Sequence, residues 1–137
     1  MRKQNDRDSF WKVIEFDVAN ENAIIQLDQK LSKRVSAIVS VCIYCIPNQT
    51  LDKEIRECGE LSLGSTTNGP FLHVNTNYSH ELSDELIPNI LLARTMGSDA
   101  RVNGYYRDLA KMKDRDGSFI PYRVKILMEC VTLPAKS

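Results

Sequence analysis

The chain has 137 residues, of which 42% are hydrophobic and 26% charged, which is typical of one soluble globular domain. Its eighteen basic and eighteen acidic residues cancel to a net charge of zero. A dedicated nucleic-acid-binding protein needs a cationic surplus to displace counterions from phosphates, so this balance argues against that class. Zero net charge also removes the repulsion that keeps many monomers apart, and it therefore permits self-association.

The first ten residues, "MRKQNDRDSF", are mostly polar and charged and are not followed by the apolar stretch of a secretory signal peptide. The longest apolar run, residues 37–46, is about half of the ~20 residues that a membrane-spanning helix needs. We therefore expect no membrane span, and we expect the protein to stay in the compartment where it is made.

Residues 1–9 are polar and are predicted to form an N-terminal arm that is mobile or docked on a partner. The next segment, "FWKVIEFDV" (10–18), is rich in aromatic and β-branched residues, which favours a strand. The period-two pattern predicts Trp11 and Val13 on one face of this strand. It predicts an apolar set on the other face: Phe10, Ile14, Phe16 and Val18.

Residues 23–35, "AIIQLDQKLSKRV", allow two interpretations. Ile24, Leu27 and Leu31 fit a helical stripe, but a strand through "AIIQLD" with a turn at "QKLSKR" fits almost as well. We favour the strand, because the flanking segments are strongly β-like. The following "RVSAIVSVCIYCIP" (34–47) is apolar almost throughout, which predicts a central strand covered on both faces and ended by Pro47. Strict alternation assigns one face to Val35, Ala37, Val39, Val41, Ile43 and Cys45, and the other to Ile38, Cys42, Tyr44 and Ile46.

Residues 59–76 read as a hairpin. "CGELSLGST" and "FLHVNTNY" alternate like half-buried strands, and Asn68 and Gly69 between them tolerate the positive φ of a tight turn. The segment that follows, residues 79–100, is a long connection interrupted by Pro88, in which "NILLART" fits a short strand or a helical turn. Connections of this length in compact domains are usually functional or form interfaces.

The last third of the chain predicts two more strands around a charged turn. "RVNGYYRDLA" (101–110) is expected to be a strand in which Gly104 marks a bulge. "KMKDRDGS" (111–118) is the turn, and "FIPYRVKILMECVTL" (119–133) is the closing strand. Its predicted apolar face holds Tyr122, Val124, Ile126, Met128 and Cys130.

These segments amount to seven or eight strands without the helix–strand alternation of a parallel sheet. The predicted fold class is therefore all-β, as a single antiparallel β-sandwich of jelly-roll or immunoglobulin-like type. We expect the domain to cover residues 10–133, after the arm at 1–9 and before a tail at 134–137.

The pair Cys42 and Cys45 has the spacing of a redox or zinc-binding motif. Such a redox pair works at a helix N-terminus, whereas these residues lie late in a predicted strand, where positions i and i+3 point to opposite faces. A zinc site would need a second pair, and Cys58 and Cys130 stand alone in the sequence. Free buried thiols are the main interpretation, and a thiol site at Cys42 and Cys45 is the alternative.

His73 and His80 are the two histidines, and their spacing is not the i, i+4 pattern of helical zinc enzymes. We expect His73 on the outer face of a strand and His80 in a loop. The "DRDG" run at 114–117 resembles the start of a calcium loop but lacks the later bidentate glutamate, so we expect a turn. We predict no catalytic residue, no metal and no cofactor.

The order of these segments resembles that of small β-sandwich virion proteins of phages, such as minor capsid, vertex or head-decoration proteins. The resemblance covers residues 33–131: the apolar strand "VSAIVSVCIYCI", the hairpin "GELSLGSTTNGPFLHVN", a long connection, "VNGYYRDL" and "PYRVKILMEC". It implies a non-enzymatic jelly-roll or immunoglobulin-like domain that assembles as an oligomer with other virion proteins, in a particle built in the host cytoplasm.

For such an assembly protein, the arm and the 79–100 connection are the expected contact regions. The residues that we expect to contribute are Arg2, Lys3 and Arg7 of the arm, together with Leu86, Ile87 and Leu91 of the connection. Two alternatives remain open. One is a carbohydrate- or ligand-binding module that uses the aromatic residues Trp11, Tyr44, Tyr78, Tyr105, Tyr106 and Tyr122. The other is a small cytoplasmic enzyme that uses its cysteines or histidines.

Overall fold

A computed structural model describes residues 9–31, 35–49, 57–65, 69–76, 93–97 and 101–132. All regular structure in these ranges is β. The strands are β1 (Ser9–Val18), β2 (Ile24–Lys30), β3 (Val35–Pro47), β4 (Gly59–Ser65), β5 (Gly69–Thr76), β6 (Ala93–Gly97), β7 (Arg101–Asp108) and β8 (Tyr122–Thr132). The all-β class predicted from the sequence is confirmed.

The strands form two antiparallel sheets, which we call the first sheet, in the order β1-β8-β3-β6, and the second sheet, in the order β2-β7-β4-β5. Strands from opposite ends of the chain are paired: β1 with β8, β2 with β7, β3 with β6 and β4 with β5. These four pairs are therefore the successive rungs of one long hairpin whose tip is β4–β5. Rungs one and three belong to the first sheet, and rungs two and four to the second.

The buried faces of both sheets contribute to one hydrophobic cluster. In β8 the residues from Tyr122 to Cys130 alternate between buried and more exposed positions, which confirms the predicted apolar face. In β1, Ile14 and Val18 are buried and Phe10 and Phe16 pack against the cluster, again as predicted. The period-two pattern is informative here because each of these strands has one face against the core.

The β3 strand departs from the predicted alternation. It pairs with β8 on one side and β6 on the other, so it is an interior strand with both faces largely buried, as expected. However, its pairing register with β8 shifts between Val35 and Ala37 and again between Ile38 and Ser40. These irregularities place Ile38 in the core cluster with Val41, whereas Val39 is only half-buried, so the assignment of these two residues was wrong.

Residues 24–30 form a strand, so the helical interpretation of this segment is wrong there. The predicted turn from residue 29 is also wrong at its start, because β2 continues to Lys30. The segment pairs with β7 along its whole length, and this pairing outweighs the helical stripe of its apolar residues.

The hairpin at 59–76 is confirmed as the pair β4–β5, with Leu61 and Leu63 buried and His73 exposed. Gly69 has φ +72°, the positive value that the turn prediction required, while Asn68 lies outside the described residues. Of the long connection, the structure describes 93–97, which is β6, so "NILLART" ends in a strand.

Gly104 was predicted to mark a bulge, but β7 keeps an uninterrupted register with both β2 and β4 through this residue. The reason for a glycine is instead a close approach of two backbones. A Cβ atom at position 104 would overlap the carbonyl oxygen of Ser62 and lie 3.0 Å from the Cα atom of Leu63. The φ of +151° adds a second restriction to this position.

We expect the substitution Gly104→Ala to lower the free energy of unfolding by about 3 kcal/mol or more, because β4 and β7 would have to separate. Urea denaturation measures this loss. Gly117→Ala is the matched control: Gly117 also has positive φ, +83°, but nothing lies within 4 Å of its Cβ position. The control should lose only about 1–2 kcal/mol, the cost of left-handed backbone. Equal losses in the two variants would contradict the steric explanation.

Candidate functional site

A series of hydrogen bonds between buried side chains connects the two sheets. Tyr106 belongs to β7 of the second sheet and Tyr122 to β8 of the first, and their hydroxyl oxygens are 2.8 Å apart. Tyr122 donates to Asp108 Oδ1 at 2.6 Å. Because a phenol has a single proton, Tyr106 must then be the donor to Tyr122. Both side chains are buried, so the polar connection lies inside the apolar core.

Asp108 is the final acceptor in this series of hydrogen bonds and is 1% exposed. Its second oxygen, Oδ2, accepts hydrogen bonds from the backbone N–H groups of Asn22 and Ala110, each at 2.9 Å. These two residues have φ values of +63° and +59°, which are unusual for side chains other than glycine. The carboxylate therefore stabilises two tight turns, one before β2 and one after β7.

Sulfur atoms and a third hydroxyl group lie against the same series of hydrogen bonds. Thr76 Oγ1 is 3.1 Å and Cys45 Sγ 3.9 Å from the Tyr106 hydroxyl oxygen. The Cys58 thiol points at Met112 Sδ, 3.7 Å away, and the Cys58 carbonyl oxygen is 3.3 Å from the Tyr122 hydroxyl oxygen. We call this set the buried polar network: Cys45, Cys58, Thr76, Tyr106, Asp108 and Tyr122.

Burial disfavours ionisation of the two tyrosines of the network. Burial raises the pKa of Tyr122, and its neighbours Tyr106 and Asp108 add to the effect. Burial is also the main reason that the pKa of Tyr106 is raised. Both phenols therefore stay protonated at neutral pH and act as hydrogen-bonding groups, with no readily available charge for acid–base chemistry.

The thiols of Cys45 and Cys58 are in hydrogen-bond contact with each other. This hydrogen bond, together with burial, raises the pKa of Cys58, and the same hydrogen bond lowers the pKa of Cys45. In the sequence Cys58 stands alone, whereas the fold brings it towards Cys45. No local pattern signals this pair, because Cys45 lies in β3 of the first sheet and Cys58 directly before β4 of the second.

Cys42 and Cys45, the residues of the spacing motif, lie on opposite faces of β3. In β3, Cys42 is paired with Leu127 and Cys45 with Val124, and the core cluster contains Cys45 and Val124 but neither of the other two. The two thiols therefore point to opposite faces, as strand geometry predicts. All four cysteines are buried, as the main interpretation of the sequence expected.

The outer face of the second sheet has a charged cluster centred on Glu60. Arg107 contacts Glu60 at 2.7 Å and His73 Nε2 contacts it at 2.8 Å. The hydrogen bond from Arg107 is the main reason that the pKa of Glu60 is lowered, with a smaller contribution from His73. His73 lies on the outer face of its strand, as predicted, and its side chain is 57% exposed. His80 lies outside the described residues.

The outer face of the first sheet is apolar at one end and charged at the other. Trp11 and Val13 of β1 are 45% and 44% exposed, although both are large hydrophobic residues. Further along β1, Glu15 and Asp17 both bind Arg123 of β8, at 3.1 and 2.9 Å. In the described sheet order β1 is an edge strand, so this apolar surface adjoins a sheet edge.

An open cleft of about 520 Å³ lies where β1 and β3 end and β8 begins. It is lined mainly by apolar and backbone groups: Asp17, Val18, Ala19, Ile46, Pro47, Asn48, Pro121, Tyr122 and Arg123. The two charged residues in its lining, Asp17 and Arg123, form an ion pair with each other. The cleft therefore presents no uncompensated charge from these residues to a ligand.

The predicted contact residues Arg2, Lys3, Arg7, Leu86, Ile87 and Leu91 all lie outside the described residues. The turn at "DRDG" is confirmed: Asp114 Oδ1 accepts the backbone N–H groups of Asp116 and Ser118, each at 2.9 Å. Within the described ranges, His, Cys, Asp and Glu side chains form no group of three that could hold a metal ion. The described part of the chain also contains no helix that could cross a membrane.

No protein-family model matches this chain, and a search of curated proteins found none with significant similarity.

We expect Tyr122→Phe to lower the free energy of unfolding by about 2 kcal/mol, because it removes the hydroxyl group between Asp108 and Tyr106 and leaves both without that partner. Chemical denaturation measures the change. Tyr105→Phe, which alters the neighbouring residue on the other face of β7, is the control and should stay within about 0.5 kcal/mol. A Tyr122 variant as stable as the control would show that the hydrogen-bond chain contributes little.

Stability should also fall at alkaline pH. The pKa values of Tyr106 and Tyr122 are raised in the folded state, so above the unfolded tyrosine pKa of about 10 only the unfolded chain releases these protons. Below that pH both tyrosines stabilise the fold fully. Above it, each tyrosine lowers the free energy of unfolding by about 1.4 kcal/mol per pH unit. Burial raises the pKa of Cys130 to about 11, which acts in the same direction. Urea denaturation from pH 7 to 11 measures this, and an unchanged stability up to pH 11 would contradict it.

Proposed function

We propose that the two sheets form a β-sandwich of the jelly-roll type. In a jelly roll a long hairpin is wrapped so that its successive rungs alternate between two sheets. The pairs β1–β8, β2–β7, β3–β6 and β4–β5, with contacts β8–β3 and β7–β4 joining the rungs, have this arrangement. The shared core cluster and the Tyr106–Tyr122 hydrogen bond support a face-to-face packing of the sheets. This strand order favours the jelly roll over the immunoglobulin-like alternative.

On this fold, we propose that the protein is a non-enzymatic structural component of a virus particle, such as a minor capsid, decoration or connector protein. The observation that carries the proposal is the strand order, because jelly rolls are a recurrent architecture of viral capsid subunits. The partners are other virion proteins and copies of the same chain, and the working location is the virion, after assembly in the host cytoplasm.

The surface of the first sheet supports a function in protein contacts. Trp11 and Val13 are exposed side by side on one face of an edge strand, and Val13 is paired with the half-buried Leu127 of β8. Aromatic residues at such positions often anchor protein–protein interfaces. An edge strand also has backbone groups that a neighbouring subunit can pair with.

The two alternatives have less support. A carbohydrate-binding platform needs aromatic rings on one surface, but Trp11 lies on the first sheet, Tyr105 on the second, and Tyr44, Tyr106 and Tyr122 are buried. A thiol enzyme needs a base beside its nucleophile. Cys45 and Cys58 are fully buried in the core, whereas His73 lies on the outer face of the second sheet.

The proposal predicts that the purified protein self-associates through the Trp11 surface. We expect mass photometry and sedimentation velocity to detect oligomers of the wild type at micromolar concentrations. The double variant Trp11→Ser, Val13→Thr should weaken this association at least about tenfold, because it removes exposed apolar area that the contact would bury. Its thermal stability should stay near that of the wild type, since both side chains face outward.

Ile24→Thr is the matched control, because Ile24 is a 60% exposed apolar residue on the edge strand of the other sheet. This variant should assemble like the wild type. A wild type that stays monomeric, or a double variant that assembles as well as the control, would contradict the proposed assembly surface.

A further inference from the structure

The outer face of β1 and β8 has an exposed apolar patch at one end and the open cleft at the other. Trp11 and Val13 lie near the start of β1 and are 45% and 44% exposed. The cleft of about 520 Å³ lies where β1 ends, and Asp17 and Arg123 belong to its lining. Trp11 and Asp17 are six residues apart on one strand, which is about 20 Å. A Trp11 side chain that enters a cleft must therefore belong to a second copy of the chain.

We propose that two copies of the chain form a closed dimer in which Trp11 of each copy occupies the cleft of the other. The inference rests on the proposed function, and it adds the surface that receives the Trp11 patch. The cleft suits an indole ring in size and charge. Its volume lies within the range of pockets that enclose small ligands, and its charged residues, Asp17 and Arg123, form an ion pair with each other. The exposed side chain of Asn48 supplies an acceptor for the indole N–H group, which buried tryptophans usually bond.

The pairing register of β1 and β8 shows that one two-fold axis satisfies both contacts. The pair Trp11–Glu129 lies at one end of this face and the pair Asp17–Arg123 at the other. A two-fold axis that crosses the strands midway, over Ile14 and its partner in β8, reverses the strand direction. It places each end pair of one copy over the opposite end pair of the second copy. Such a contact is isologous and stops at a dimer, because both clefts are then filled.

The charges of the two copies match under the same axis. Glu129 of one copy comes next to Arg123 of the other, at both ends of the contact. Between the ends, Val13 comes over Glu15, whose partner in β8 is the oppositely charged Lys125. The methylene groups of these long side chains can cover an apolar neighbour. Across the axis, each charged side chain of the facing strand pairs therefore meets an opposite charge or an uncharged side chain.

The fluorescence of the wild type tests the proposal, because Trp11 is the only tryptophan of the chain. We expect sedimentation velocity to find a monomer–dimer equilibrium at micromolar concentrations. Over the same range the emission should move to shorter wavelength and become less accessible to acrylamide, as the indole ring leaves water. A wild type that stays monomeric would overturn both this inference and the proposed assembly surface. Oligomers that grow beyond the dimer would overturn the closed contact alone.

Variants of the cleft separate this inference from the proposed function. Ala19 is an exposed residue of the cleft lining, so Ala19→Glu places a charged side chain where the indole ring would lie. We expect this variant to weaken dimerisation at least about tenfold and to keep the Trp11 emission of the monomer. Ala19→Ser is the matched control and should dimerise like the wild type. An Ala19→Glu protein that dimerises normally would overturn the cleft contact and leave the Trp11 surface standing.

A charge exchange tests the axis and does not depend on Ala19. Arg123→Glu and Glu129→Arg should each weaken dimerisation, because each brings like charges together at both ends of the contact. An equimolar mixture of the two variants should dimerise again, since both contacts of the mixed dimer join opposite charges. A mixture that dimerises no better than either variant alone would overturn the proposed axis.

Discussion

The hydrogen bond from Tyr122 to Asp108 is the contact on which the junction of the two sheets depends. A buried carboxylate is expensive unless its oxygens are bonded, and Asp108 accepts one side-chain and two backbone donors. Those bonds hold the turns before β2 and after β7 and also orient the hydroxyl group of Tyr122. Tyr122 in turn orients Tyr106. The hydrogen bonds of one carboxylate therefore hold two turns and two strands of different sheets in place.

The side chains with the largest pKa shifts are not the side chains that are exposed on the surface. The groups with strongly shifted pKa values, the tyrosines and thiols of the buried polar network, are buried in the core. On the outer face of the second sheet, Arg107 and His73 both lie against Glu60. Exposed apolar area occurs at Trp11 and Val13 of the first sheet instead. This exposed apolar area is the physical basis of the proposed function in protein contacts.

Several features followed directly from the residues. The faces of β1 and β8, the hairpin β4–β5 and the turn at Asp114 were all predicted, because each depends on neighbours within the same strand, hairpin or turn. In a strand with one buried face, apolar residues recur at every second position, and that period is visible in the sequence. The predictions for Val39 and Gly104 were wrong because both depend on the neighbouring strand: a shifted register at β3, and the approach of the Ser62 carbonyl group at β7.

The amino-acid pattern was thus sufficient for the all-β class and for the core-facing side chains of β1 and β8, since these are short-range consequences of alternation. The pairing of Cys58 with Cys45, and the chain from Tyr106 through Tyr122 to Asp108, required the folded molecule. Each joins residues whose strands meet only when the long hairpin is wrapped into two sheets. A periodic pattern carries no information about which strand lies opposite another, so these contacts could not be derived from it.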